Sequence, residues 1–405
     1  MQKFAPNINA PMQGNPESNL LNEEVPMSPI YPIKKQNNKT PINILTGIFF
    51  VLAIVFTAWV FLSGSSKKII SPFSKNDGIS SSKFDDKLPA DLTGELVAPS
   101  DAAQWKDQRP LGIMVDNQVD ARPQSGLIYA DIVYEVVAEG GITRYLAFLQ
   151  SHTPEKIGPV RSAREYYLVI VKELGDAMLM HIGYSPQALL AIDTWPVRSL
   201  FRGGCESLPG CEWRDNPRNV AYEHTAYVNG LKLRELATNL GWEGKGDITL
   251  WKFKNDSSIY SSKPLASSIT IDFWTKGDYT GIFKYDPQNN SYLRFTGYDA
   301  SDQPIALMDR EKTTQQVEVK NLIVQFTTES SVAEDVKGRL EYQLIGSGKA
   351  LVFIDGKVVD ATWSKSGRDA RTIFYDTDGN ELQFNRGKFW ISIVPDRNVD
   401  QVVYN

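Results

Sequence analysis

The stretch IVYEVVAEGGITRYLAFLQ, residues 132–150, decides the fold of the first folded part of the chain. It contains two apolar, β-branched runs, at 132–137 and 145–150, joined through Glu139, Gly140, Gly141 and Arg144. Paired glycines allow positive φ or a close backbone approach, so Glu139 and Arg144 are expected to flank a tight hairpin. Working outward, comparable runs at 112–115 and 177–182 are bounded by turn residues and read as further strands. Between the third and fourth runs lies a helix signal, with Ser162 as N-cap, Glu165 as its capping-box partner and Gly175 as the stop. Ser185 followed by Pro186 starts a second helix through about Asp193. Residues 225–240 predict a third, with Leu233, Leu236 and Leu240 on one face and Gly241 at its end. Strands alternating with helices indicate an α/β-like domain with a mixed sheet over residues 106–246.

From about residue 247 the character changes. Short alternating runs recur: SITIDFW, GIFKYD, SYLRF, NLIVQF, ALVFI, RTIFYD and FWISIV. Asp355-Gly356 and Asp378-Gly379 are hairpin signals, and the one helix signal is weak, near 332–336. A mostly antiparallel β domain is expected over 247–405, so the whole is α+β. A length of 405 residues suits two such domains. With 42% hydrophobic and 11% aromatic residues, each can bury a core. The net charge of -5 argues against broad nucleic-acid binding, which shows as a basic domain. Any anion site must be local.

Ahead of these domains, residues 1–43 are rich in Asn, Pro, Ser and Gln and read as a disordered cytoplasmic tail. Residues 44–62 form a run of 19 without a charge, long enough to span a hydrocarbon core as a helix. A cleaved signal peptide would be shorter in its apolar part and nearer the N-terminus, so an uncleaved signal anchor is expected. Lys34, Lys35 and Lys39 before the run favour a cytoplasmic N-terminus, and Lys67 and Lys68 after it weaken that vote. Residues 63–105, dominated by Ser, Lys and Asp, read as a flexible stalk. Cys205 and Cys211 are six apart in a turn-rich loop, a spacing that suits a local disulfide in an oxidising compartment. The rival reading is a metal pair, with His224 the nearby histidine. A disulfide puts the large domains outside the cytoplasmic membrane, and the expected localisation is a single-pass membrane protein.

The chemistry-bearing residues gather in GIMVDN (112–117), ARPQSG (121–126), EGGITRY (139–145) and IGPVRSAREYY (157–167). These phrases place Arg122, Arg144, Arg161 and Arg164 beside Asp116, Glu135 and Glu139, a pattern that suits phosphate or carboxylate recognition. Arg161 and Arg164 lie at a predicted helix N-terminus, which already carries roughly +0.5 of an elementary charge, so a bound anion would relieve the repulsion. Internal pairing with Asp116, Glu135 or Glu139 is the alternative, and Glu139 itself reads as a general base, a metal ligand or a clamp on Arg144 or Arg122. His181, at a strand-to-helix turn, and His224, at a helix start, each have the chemistry of an acid or base or of a structural histidine. Ser185 is not in a G-x-S-x-G elbow. Walker loop, dinucleotide fingerprint, H-E-x-x-H and zinc quartet are all missing from the sequence, and no cofactor is expected.

The phrases ARPQSGL, ADIVYE, EGGITRY, GPVRSAR and HIGYSP, with LVFIDGKVVDATWSK and FYDTDGNELQFNRGKFWISIVP later, resemble the YerB-like family of bacterial envelope lipoproteins, a family of unknown function. The resemblance covers residues 111–395 and implies two domains and an envelope location. Here the chain departs from that family, whose members attach through a lipidated cysteine, since no cysteine lies near 44–62. The order of strand, Asp116, arginine loop, second strand near Asp131 and arginine-bearing loop is also similar to the LytR-CpsA-Psr phosphotransferases, although their arginine-aspartate signature is missing where Glu165 follows Arg164. Two functional readings follow. One is an envelope protein that binds an anionic ligand or partner through an arginine pocket formed by Arg122, Arg144, Arg161 and Arg164 with Asp116, Glu135, Glu139 and His181. The other is an envelope enzyme acting on a glycan or lipid-linked phosphate. The expected partners are the cytoplasmic membrane, reached through one helix, and an envelope glycan, a phosphate-bearing ligand or a protein. Nucleic acid is not expected.

Overall fold

A computed structural model describes residues 87–256 and 266–405. The expected tail at 1–43, the membrane segment at 44–62 and the stalk as far as residue 86 lie outside the described residues. Among the described residues no helix is long and apolar enough to cross a membrane.

The N-terminal strands are β1 (Leu111–Asp116), β2 (Ile132–Glu139), β3 (Ile142–Leu149), β4 (Met178–Met180) and β5 (Arg198–Ser199). After residue 266 come β6 (Ser268–Ile271), β7 (Gly281–Asp286), β8 (Ser291–Tyr298) and β9 (Pro304–Ala306). These are followed by β10 (Asn321–Thr327), β11 (Gly346–Ile354), β12 (Lys357–Lys365), β13 (Ile373–Tyr375), β14 (Phe389–Pro395) and β15 (Val402–Tyr404). The helices that matter here are α1 (Glu165–Glu173), α2 (Pro186–Thr194) and α3 (Gly230–Asn239).

β2 and β3 form the expected hairpin, turning through Gly140 and Gly141 at φ 58° and 78°. Two consecutive positive φ values make the turn twist with the strands, and glycine adopts them without steric cost. Asp355-Gly356 makes the second such turn, joining β11 to β12. Every residue of β1 and of β14 is buried, as in a strand covered on both faces. Burying Phe389, Ile391, Ile393 and Val394 of β14 stabilises the fold by about 1.5–3 kcal/mol each.

One mixed sheet has the strand order β13-β12-β11-β10-β14-β2-β3-β1-β4-β5. β14 runs parallel to both β10 and β2. Strands from before and after residue 246 therefore share one hydrogen-bonded ladder. A second, antiparallel sheet has the order β9-β8-β7-β6-β15. The architecture is α+β, as expected: a mixed sheet that draws strands from both parts of the chain, and an antiparallel sheet built from the later part.

Alternation along β2 shows the layering, because successive side chains point to opposite faces. The Tyr134 hydroxyl donates to Glu173 Oε1 on α1 (2.7 Å), while Glu135 Oε2 accepts from Arg294 on β8 (2.8 Å). Helix α1 thus covers one face and the small sheet covers the other. Residues 88–105, read above as the end of the stalk, carry a two-strand ladder, and Trp105, Ala102 and Ala90 pack together. Gly387 N–H donates to Thr93 O, tying this segment to the body.

Helix starts differ from expectation in two places. Residues 161–163 are extended: Arg161 N–H donates to Met114 O, and Ile182 N–H donates to Arg161 O. The Ser162 hydroxyl donates to Ile182 O, so it does not cap, and α1 begins after Arg164, its N-cap residue. Residues 226–228 pair with 212–214 as a hairpin, so the third helix starts later, where Asn229 Oδ1 accepts from Lys232 N–H (3.1 Å). In both cases long-range backbone pairing overrides a local helix signal. Residues 332–336 form turns between the paired strands Glu329–Ser331 and Leu340–Tyr342, with no helix.

Candidate functional site

The hairpin, the end of β1 and the extended segment before α1 converge along the strand-end edge of the large sheet, in which β1, β2 and β3 are interior strands. Asp116 and Arg144 are register partners on β1 and β3, and Val115 bridges Val160. That convergence assembles most of the predicted cluster. Arg164 Nε pairs with Glu139 Oε1, and Arg144 Nη2 lies 3.6 Å from Glu139 Oε2. Arg144 also donates to Ser162 O (2.7 Å). Burial, and next the adjacent Arg164 guanidinium, push the Arg144 pKa below its ordinary value.

Asp116 is 2% exposed and sits at the centre of a second group. Its Oδ2 lies 2.7 Å from His224 Nδ1 and 3.3 Å from Arg161 Nε, and its Oδ1 accepts from Gln118 N–H (3.0 Å). Burial alone would raise the Asp116 pKa. The hydrogen bond from His224 and the Arg161 charge outweigh it, holding the carboxyl below its usual range. An ionised carboxylate cannot donate, so His224 Nδ1 carries the proton of this bond. Arg161 Nε, itself buried, makes no hydrogen bond: its contact with Asp116 is an ion pair only.

Arg122 completes the edge. Its Nε and Nη2 donate to Asn117 O, and its plane lies 5.3 Å from the Tyr279 ring centroid. Asn117 Oδ1 accepts from both Arg122 and Gln124, and Asn117 Nδ2 donates to Thr143. Arg218 donates to the carbonyls of Arg122 and Asp120, adding a further cation whose charge is also felt by Asp215. Tyr279 feels both Arg122 and Asp116, and burial raises its pKa.

Two predicted residues lie elsewhere. Glu135 is fully buried between the sheets, where it accepts from Arg294, Trp390 Nε1 (3.0 Å) and Thr143 (2.8 Å). His181 is also fully buried, with Nδ1 2.8 Å from Gly183 O and Nε2 2.8 Å from Ser199 Oγ. Burial pushes its pKa down to about 4. Cys205 and Cys211 are joined in a disulfide, as expected, with Cα atoms 5.4 Å apart. Among the described residues no group of three His, Cys, Asp or Glu could hold a metal ion. Asn117, Gln124, Arg218 and Tyr279 were not legible as site residues: only Asn117 and Gln124 sit in the diagnostic phrases, and Tyr279 arrives from 163 positions beyond Asp116.

From Arg164 a cleft of about 270 Å³ opens between the starts of α1 and α2 and the paired strands at 329–342. Its walls include Gln187, Ser330, Arg339 and Tyr342.

The sequence carries this architecture in a recognisable form. Residues 92–243 match the N-terminal domain, and residues 269–391 the C-terminal domain, of a protein of unknown function, DUF3048. The chain belongs to this family. A relative in Bacillus subtilis (strain 168), named "Putative lipoprotein YerB", is 30% identical over 349 residues, covering 85% of this chain and 95% of the relative. The crystal structure of the Bacillus subtilis YerB protein superposes with a TM-score of 0.65 at 30% identity, over 79% of this chain and all of that one. The arginine edge lies within the DUF3048 N-terminal domain, with Tyr279 contributed from the C-terminal one.

Proposed function

We propose that this DUF3048 protein is a membrane-anchored, extracytoplasmic envelope protein that binds an anionic ligand at the arginine edge. One observation carries the reading. Among the described residues, four guanidinium groups (Arg122, Arg144, Arg161, Arg164) meet only two carboxylates (Asp116, Glu139), since Glu135 is committed to Arg294. The internal pairing expected as the alternative is present but incomplete, and Arg122 and Arg161 stay partly open to solvent. Guanidinium groups recognise phosphate and carboxylate through paired N–H donors. The envelope location is supported by the apolar run at 44–62, the disulfide and the lipoprotein name of the Bacillus relative.

The test is the melting temperature of the full-length protein in phosphate against chloride at equal ionic strength. Phosphate raises it more in the wild type, and the extra gain falls by half or more in Arg122→Gln and Arg161→Gln. Phosphate also stabilises proteins by exclusion from their surface, so the variants decide the matter. Full retention of the gain in both variants would refute the reading.

A further inference from the structure

The Asp116–His224 pair goes beyond what anion binding needs. Asp116 Oδ2 holds His224 Nδ1 at 2.7 Å, and the imidazole is 6% exposed. With the Nδ1 proton committed to an ionised carboxylate, the neutral ring carries its lone pair on Nε2. Nε2 has no protein partner among the described residues, and it is not sealed in the core. Beside it, Arg161 spans from Asp116 to Glu223 O, the carbonyl of the residue preceding His224, and keeps a buried Nε–H without a hydrogen bond. A base with a fixed tautomer therefore stands next to a guanidinium whose inner nitrogen faces Asp116 and whose side chain is partly open to solvent.

We infer that His224 is the general base in hydrolysis of a phosphate ester held by Arg161, with Asp116 as its positioning residue. This rests on the anion-binding reading and names its chemistry. A phosphate ester fits better than a carboxylic ester because its reacting group is itself anionic and so is drawn to the arginines. Water gives a proton to His224 Nε2 as its oxygen bonds to phosphorus. The P–O bond to the alcohol breaks on the far side of phosphorus, the departing oxygen takes a proton from solvent water, and Nε2 returns its proton to solvent. Ester and water become phosphate (or monoester) and alcohol, with no oxidant or further reactant. Arg161 stabilises charge on the non-bridging oxygens as the transition state forms.

The probes are bis(p-nitrophenyl) phosphate and p-nitrophenyl phosphate, offered to the full-length protein, with p-nitrophenolate release as the readout; the two separate diester from monoester substrates. Wild type releases p-nitrophenolate from at least one. His224→Gln slows release by roughly 100-fold or more, the range of general-base catalysis. Asp116→Asn, which upsets the tautomer, slows it as well. His224→Gln keeps the phosphate-specific melting gain, showing a folded protein with an intact anion site. Release by His224→Gln at the wild-type rate overturns the proposal. So does a wild type that gains stability from phosphate yet turns over neither probe, and in that case anion binding stands. Absence of both turnover and gain overturns the two readings together.

Discussion

Glu173 offers the sharpest test of how the two family-matched segments depend on each other. Its carboxylate, 3% exposed at the end of α1, accepts from Arg371 (2.8 Å), Lys365 (3.0 Å) and Thr372 Oγ1 (2.6 Å) on one side and Tyr134 on the other. Glu173→Gln removes the charge and leaves the Lys365 ammonium and Arg371 guanidinium buried and uncompensated. Removing one partner of a buried pair costs about 3–5 kcal/mol. At roughly 2 °C per kcal/mol for a large domain, the melting temperature should fall by about 6–10 °C. Burial pushes the Glu173 pKa up, and Lys365 and Arg371 more than offset this, so it lies below the ordinary carboxyl value. A depressed folded pKa contributes stability above the unfolded value of about 4.3 that is lost as pH falls through the folded one. The variant should therefore lose less stability on acidification than wild type. Thermal denaturation followed by near-ultraviolet circular dichroism at neutral pH and near pH 3 measures both effects. A fall of less than about 2 °C at neutral pH would show that the buried network does not hold the two segments together.

The burial that pushes the His181 pKa down to about 4 has its own consequence, because the unfolded chain takes up that proton near 6.5. The unfolded state then binds more protons between these values, so stability is full above about 6.5 and declines toward 4. Chemical denaturation at steps across that window should show the decline in wild type and a flatter response in His181→Gln. For the disulfide, Cys205→Ser with Cys211→Ser should lower stability on the order of 2–3 kcal/mol by freeing a small loop, measured by urea unfolding. Free thiols in the oxidised wild-type protein would contradict that bond.

Local chemistry made much of this protein legible in its sequence. The β2–β3 hairpin follows from two apolar β-branched runs around Gly140-Gly141, and α2 follows from Ser185, whose hydroxyl accepts from Ala188 N–H, with Pro186 after it. The six-residue spacing of Cys205 and Cys211 pointed to a bond that needs only a short loop to close. Arg144, Arg161, Arg164, Asp116 and Glu139 are legible because they crowd into phrases that lie within about fifty positions of one another. Other features depend on groups far apart in the chain, and no local pattern encodes them. Glu135 reads like a site carboxylate until Arg294, 159 positions away, reaches it in the core. His224 becomes more than a turn histidine only when Asp116, 108 positions earlier, meets its Nδ1. Segments 161–163 and 226–228 carry helix signals yet lie extended, because each gains backbone hydrogen bonds from a partner elsewhere in the chain. Propensity acts over one turn of chain. Pairing across the large sheet, with β14 inserted between β10 and β2, is settled only when distant residues pack and lose their water.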